Sequence, residues 1–190
     1  MDMAIKIYVD QGHNAQNPNA GAEGNGLREQ DLVWAIGVEL AALLNANEDF
    51  EAKVSRENID TVLGTTINES LAARVNDANA WGADYYISLH ANASEYPAAS
   101  GAEAFVYSMN SKAAPLAESI LFNLSEATGL QNRGLYARPS LYVLRKTKMP
   151  ALLLENGFIT NEGDAMLMNN SPELFARGIY NGIVNYFSNT

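Results

Sequence analysis

Two histidines and 22 acidic residues stand in this 190-residue sequence, and there is no cysteine. Imidazole chemistry therefore rests on His13 and His90. His13 follows one apolar run (IKIYVDQGH, 5–13) and His90 closes another (DYYISLH, 84–90). Glu155 ends a third (PALLLE, 150–155), and Glu29 stands where a Gly- and Asn-rich stretch, 11–28, gives way to a helical pattern. Two imidazoles and a carboxylate suit a catalytic zinc ion, which takes three protein ligands and keeps its fourth position for water. The metal lowers that water's pKa to about 7, and a carboxylate off the metal can then serve as general base and later as acid. Placement alone leaves alternatives open. There is no HExxH-type spacing, so each His also suits a structural role, and Glu29 also suits the positive end of a helix dipole. Glu155 is harder to explain structurally, because a carboxylate behind Ala-Leu-Leu-Leu is costly to bury without a purpose.

The elements that must position these groups follow from periodicity. Strands are expected at 4–10, 50–55, 84–90, 101–107, 141–144 and 150–155, where β-branched or apolar residues run or alternate. Helices are expected at 29–46, 67–80, 112–128 and 172–188; in the first, Leu32, Val33, Ile36, Leu40, Leu43 and Leu44 recur near the 3.6 period. Strands alternating with helices predict a single α/β domain over residues 1–190, built on a largely parallel sheet of about six strands. Ligands of such sheets bind beyond the carboxyl ends of the strands, where His13, His90 and Glu155 fall.

Composition removes other classes. Hydrophobic residues make up 47% and charged residues 18%, enough for a packed core. The net charge of −10 argues against nucleic acid as a partner and against a polybasic membrane anchor. The lack of cysteine excludes disulfides, thiolate zinc sites and cysteine nucleophiles. No segment reaches the roughly 18 apolar residues of a membrane span, and the opening MDMAIK lacks the pattern of a signal peptide.

The ordered motifs resemble the zinc-dependent N-acetylmuramoyl-L-alanine amidases of the amidase-3 type. DQGHN (10–14), AGAEGNGLREQDL (20–32), VSREN (54–58) and AARVNDANAWGADYYISLHANA (72–93) carry the resemblance through the first half. GAEAFVY (101–107), NRGLY (132–136), LYVLR (141–145) and PALLLENGFITN (150–161) carry it through the second. Gln11 and Asn14 depart from the family's usual Pro and Gly, and Asn156 stands where Thr is common, but no catalytic group is lost. The resemblance implies a three-layer, phosphorylase/hydrolase-like fold. It implies His13, Glu29 and His90 as ligands of one Zn2+ per chain and Glu155 as the catalytic glutamate. The reaction implied is hydrolysis of the amide between the lactyl group of N-acetylmuramic acid and L-alanine, with a peptidoglycan muropeptide as substrate.

Other residues carry less. Asn14 and Asn92 flank the two histidines and are candidates for orienting them or donating to substrate. Arg133 suits a peptide carboxylate, or a solvated loop. Arg74 and Asn79 belong to the resembling block and also suit holding loops and capping backbone groups. Tyr85, Tyr86, Trp34 and Trp81 read as packing residues. Some amidases of this type carry an inhibitory helical insertion after the HANA block; here only 94–100 precedes the next strand, so an open site needing no activator is expected. A monomer acting at the cell wall is expected, reached by phage-type release or representing an excised domain. An acidic chain is repelled by anionic wall polymers, so specificity should sit around the metal. The competing readings are a zinc carboxypeptidase of related fold and a non-catalytic wall-binding module.

Overall fold

In the computed structural model, residues 4–188 are described; residues 1–3, the head of the stretch read above for a signal-peptide pattern, fall outside them. The elements in chain order are β1 (Ile5–Gln11), the short strands β2 (Glu23–Gly24) and β3 (Leu27–Arg28), and α1 (Glu29–Asn45). Then come β4 (Phe50–Val54), α2 (Ile67–Trp81), β5 (Tyr85–Asn92), β6 (Ala102–Val106) and α3 (Ala113–Thr128). β7 (Asn132–Ala137), α4 (Tyr142–Lys146), β8 (Ala151–Phe158), α5 (Glu162–Asn170) and α6 (Pro172–Ser188) complete the chain. Six strands form one sheet in the order β4-β1-β5-β8-β6-β7. The first four are mutually parallel; β6 pairs antiparallel with β8 and parallel with β7, so the last two strands point the other way.

The alternation of each strand divides the core. Ile7, Val9, Ile87, Leu89, Leu152 and Leu154 pack with the apolar stripes of α1, α3 and α6 on one face. Tyr8, Tyr86, Phe105 and Leu153 pack with Val75, Val143 and Leu144, from α2 and α4, on the other. The result is the α/β domain expected from the pattern, in the three layers that the resemblance implies. Because side chains alternate, Asp10, Ser88, His90 and Glu155 follow Tyr8, Tyr86 and Leu153 onto the α2/α4 face. The crossover from β1 leads outward to β4, and the next returns past β1 to β5. The crevice at the carboxyl ends of β1 and β5 is therefore the switch point of the sheet.

Three expectations change. Residues 141–144 are not a strand; 142–146 form the short helix α4, whose Val143 and Leu144 face Leu153. The sixth strand is β7 instead, a half-exposed edge strand containing Gly134 at φ 107°. α5 and the β2–β3 hairpin are additional. The link between β5 and β6, residues 93–101, contains no helix, as its shortness predicts.

α2 begins at Thr66, whose side chain accepts from the Glu69 N–H at 3.1 Å, and stops at Gly82 in the left-handed region. α3 and α6 approach closely because α6 presents Gly178 and Gly182. A Cβ at Gly182 would lie 2.5 Å from Ile120 Cα, and one at Gly178 would lie 2.8 Å from Leu124 Cα. Ser119 Oγ adds a hydrogen bond of 2.8 Å to the Gly182 carbonyl. Gly182→Ala gains about 1 kcal/mol of helix propensity, but overpacking against backbone costs about 1–3 kcal/mol. The backbone clash should win, lowering the thermal midpoint by a few degrees; an unchanged or raised midpoint would contradict this packing.

Candidate metal centre

Glu29 is the first residue of α1 and is buried. Its Oε1 lies 3.1 Å from His13 Nε2 and 3.0 Å from His90 Nδ1, and accepts from the Ala91 N–H at 3.0 Å. Its Oε2 accepts from the Ala22 N–H at 2.9 Å. The two imidazole rings stand edge to face with centroids 4.8 Å apart. One ligand atom from each of His13, Glu29 and His90 lies within 4.8 Å of the other two, a cluster able to hold a metal ion. Burial pushes the Glu29 carboxyl up, but hydrogen bonds from His13 and His90, and their charge, outweigh it and hold it well below the usual carboxylate range.

Two glycines allow this convergence. A Cβ on Gly12 would lie 2.5 Å from His90 Cε1, and one on Gly21 would lie 2.8 Å from Glu29 Oε2 and 3.0 Å from His13 Cδ2. Backbone therefore lies against the cluster where any side chain would displace it. In the sequence these glycines are visible only as part of a Gly-rich loop.

His13 takes φ 65°, the left-handed region, which is strained for a non-glycine residue and costs about 1–3 kcal/mol. Arg74 holds it there. Arg74 is buried and donates to Asp10 Oδ1 at 2.6 Å, the Gln11 carbonyl at 2.7 Å and Asn14 Oδ1 at 3.2 Å. The same guanidinium donates to the His13 carbonyl. Asp10 in turn accepts from Ser88 Oγ at 2.7 Å. Burial pushes the Asp10 carboxyl up, yet the Arg74 charge and these hydrogen bonds outweigh it and hold it down at about 2.

Glu155 stands beside His90 in the β5–β8 register and opposite Glu103 in the β8–β6 register. Its Oε2 is covered and has no hydrogen-bond partner. Burial pushes its carboxyl up to about 8, and the neighbouring Glu29 and Glu103 charges push the same way, with Arg138 opposing. A raised carboxyl beside a cluster of metal-ligating type has the character of a proton-transfer group. A cavity of about 150 Å³ opens at the two histidines, lined by His13, His90, Leu71, Leu141, Tyr142 and Leu153, among others.

The remaining candidates separate. Asn14 is buried behind His13; its amide donates to the carbonyls of Pro18 at 2.6 Å and Leu63 at 3.1 Å, and accepts from the Leu63 N–H at 3.1 Å. It shapes the loop and presents nothing to solvent. Asn92 donates to Glu103 Oε1 at 2.8 Å, and Arg133 Nε lies 3.3 Å from Glu103 Oε2 while Nη1 donates to the Ser100 carbonyl at 3.2 Å. Arg133 is thus already paired. Glu103, at the centre of this trio and in register with Glu155, was not singled out in the sequence; a carboxylate inside the apolar alternation of GAEAFVY was its available signal. Arg74 and Asn79 hold backbone, Asn79 by bonds to the Lys146 carbonyl and the Lys148 N–H.

Residues 7–185 match the family described as N-acetylmuramoyl-L-alanine amidase. The chain is 34% identical over 188 residues to N-acetylmuramoyl-L-alanine amidase CwlM of Bacillus licheniformis, covering 97% of this chain and 69% of that one. It is also 34% identical over 189 residues to the sporulation-specific N-acetylmuramoyl-L-alanine amidase of Bacillus subtilis, with the same coverage of each. Among solved structures it resembles an N-acetylmuramoyl-L-alanine amidase from Clostridium difficile 630, with a TM-score of 0.88, 27% identity and 98% of each chain covered.

The Asp10–Arg74 pair has a pH signature. Because the folded pKa of Asp10 is depressed to about 2, its stabilising contribution is full above the unfolded value near 3.9 and fades as pH falls toward 2. The contribution is on the order of 2 kcal/mol, with about half lost by pH 3. Asp10→Asn should be strongly destabilised at pH 6, because it leaves Arg74 buried without a counter-charge, and its deficit should narrow by about 1 kcal/mol by pH 3. Urea midpoints for both proteins across this range check it; a deficit constant with pH would remove the pair from acid stability.

Proposed function

The chain belongs to the N-acetylmuramoyl-L-alanine amidase family, and from that premise we propose that it is a zinc hydrolase of the cell wall. It cleaves the amide between the lactyl group of N-acetylmuramic acid and the L-alanine of the stem peptide. Residues 1–190 act as one catalytic domain, as a monomer with one Zn2+ per chain. His13 Nε2, His90 Nδ1 and Glu29 Oε1 are the atoms that would hold the ion. The observation that carries this reading is the convergence of those atoms within 4.8 Å beside a carboxyl pushed up to about 8. Two imidazole nitrogens and one carboxylate oxygen are the donor set of a catalytic rather than a closed structural zinc site. The bound ion supplies Lewis acidity toward the scissile carbonyl and acidifies a water molecule.

The chain's own groups do the rest. The Glu155 carboxyl, in register beside His90, is the group that would take the proton of the attacking water. As the carbon–oxygen bond forms and the carbon–nitrogen bond breaks, the same carboxyl returns that proton to the departing alanine nitrogen. Glu29 accepts from the Ala22 and Ala91 N–H groups, which favour its anionic form, so it can balance cationic charge without competing for the proton. Asn92 and Arg133 are tied together through Glu103, which lies opposite Glu155 in the β8–β6 register. No helix among the described residues is long and apolar enough to cross a membrane, in keeping with a substrate that lies in the wall.

Mass spectrometry of digested peptidoglycan tests the reaction. The expected products are muramic acid with a free lactyl carboxylate and a peptide beginning with a free alanine amine. Release of a C-terminal residue would identify a carboxypeptidase, and no release with retained binding would identify a wall-binding module. Glu155→Gln should lower kcat by about two to four orders of magnitude with zinc content unchanged; near-normal turnover would remove Glu155 from the proton-transfer role. Chelation should abolish turnover and added Zn2+ should restore it, whereas activity indifferent to chelator would sink the metal reading.

A further inference from the structure

The cavity at the two histidines is walled mostly by hydrocarbon. It holds about 150 Å³, and the rings of His13 and His90 form part of its wall. Leu71 of α2, Leu141 and Val143, before and within α4, and Leu153 of β8 supply an apolar remainder. Leu71 and Leu141 are half-buried while Val143 and Leu153 are buried, so this apolar wall runs inward from the surface.

The polar groups that border the cavity are already engaged. Asp10 and Arg74 pair with each other at 2.6 Å, and both are buried. Arg74 Nε has no hydrogen-bond partner among the described residues, but it is covered and offers no donor to the cavity. Asn19 donates its amide to Ser70 Oγ at 3.1 Å. A charged group placed here would lose water with little to replace it. An apolar group would gain by leaving water, and a cavity of about 150 Å³ accepts one as large as benzene.

Position along the strands selects the part of the substrate that reaches it. Leu153 precedes Glu155 on the same face of β8, as Ser88 precedes His90 in the matching register of β5. The cavity wall at Leu153 therefore stands two strand residues, about 6.6 Å, behind Glu155. In the amidase reading, Glu155 returns its proton to the departing nitrogen. The carbon bonded to that nitrogen bears the side chain of the first peptide residue. That side chain is the apolar group which the reaction brings nearest to Leu153, and a chain longer than a methyl reaches further in.

We propose that this cavity seats the side chain of the first stem-peptide residue and takes an uncharged, apolar chain, with room beyond a methyl group. The inference rests on the amidase reading above and names the side-chain class that the site selects.

The test uses the zinc-loaded protein and N-acetylmuramoyl dipeptides whose first residue is glycine, alanine, α-aminobutyrate or serine. From glycine to α-aminobutyrate, kcat/KM should rise about fourfold with each added carbon, mainly through KM. Serine, which puts a hydroxyl in place of the last methyl, should fall back to the alanine value or below it. Leu71→Phe fills the cavity from its half-buried side and should flatten the series; Leu141→Phe does the same from the α4 side and serves where the first variant folds poorly. Each series is a ratio within one protein, so loss of folded material does not move it. A flat wild-type series, or a series that neither variant alters, overturns the proposal. A second pair of substrates keeps alanine and replaces the lactyl group by glycolyl. If the variants change that ratio and leave the residue series in place, the cavity holds the acyl-side methyl and the proposal fails. Methyl NMR of zinc-loaded Glu155→Gln gives a readout without turnover. The α-aminobutyrate substrate should shift the Leu71, Leu141, Val143 and Leu153 methyl signals more than the glycine substrate does, and equal shifts overturn the assignment. Cleavage at the lactyl amide with a flat series removes this inference alone; no cleavage there in any substrate removes the amidase reading with it.

Discussion

A buried guanidinium organises the carboxyl end of this sheet. Arg74 comes from α2 and reaches Asp10, the backbone of Gln11 and His13, and the side chain of Asn14. A charge so placed costs several kcal/mol unless it is paired and fully hydrogen-bonded. Asp10 supplies the pair, and Asp10 is itself fixed by Ser88 on the next strand. The chain of bonds thus runs from helix to β1 to β5. It sets how far the loop after β1 stands from the end of β5, and those are the two places from which His13 and His90 project. It also keeps His13 in a backbone region it would not choose alone.

Strand alternation does the second part of the positioning. One parity of β1, β5 and β8 buries aliphatic side chains against α1, α3 and α6. The opposite parity starts with Tyr8, Tyr86 and Leu153 and, one step further toward the carboxyl ends, carries Asp10, Ser88 and Glu155. A shift of one residue in any pairing would turn these polar groups into the aliphatic layer. Glu29 reaches the same place from another direction, because α1 begins there, and its two oxygens are fixed by the backbone of Ala22 and Ala91. The cluster is thus assembled from two strand ends and one helix start, each held by separate backbone contacts.

Much of this was legible in the sequence, for reasons that also explain what was not. The strands bearing His13, His90 and Glu155 are short, apolar and central, so composition alone reveals them. The run LYVL at 141–144 has the same composition, but a short apolar run does not distinguish a strand from a turn of helix. Here its valine and leucine cap Leu153 from the helical layer. β7 was missed because an edge strand needs only one buried face; NRGLYA alternates weakly and contains a glycine at positive φ. At the site, the types of His13, Glu29, His90 and Glu155 were visible, but their meeting was not, since 61 residues separate Glu29 from His90. Asn14 was misleading for a related reason. Adjacency to a histidine in the chain says nothing about which way its amide points, and it points inward, onto Leu63 and Pro18.

The electrostatic logic of the site follows from what it lacks. Three carboxylates, Glu29, Glu103 and Glu155, gather where two strands and a helix start meet, on a chain that is already acidic. Two of them are quenched locally: Glu29 by the imidazoles and two backbone N–H groups, Glu103 by Asn92 and Arg133. Glu155 alone is given no donor at Oε2. Burial and the charges of Glu29 and Glu103 push its carboxyl up, and no hydrogen bond at Oε2 offsets them. The fold carries that unsatisfied carboxyl at the end of an apolar strand segment, Ala151 to Leu154, that is buried throughout. One parity of the same strand supplies aliphatic burial, and the other carries the raised carboxyl.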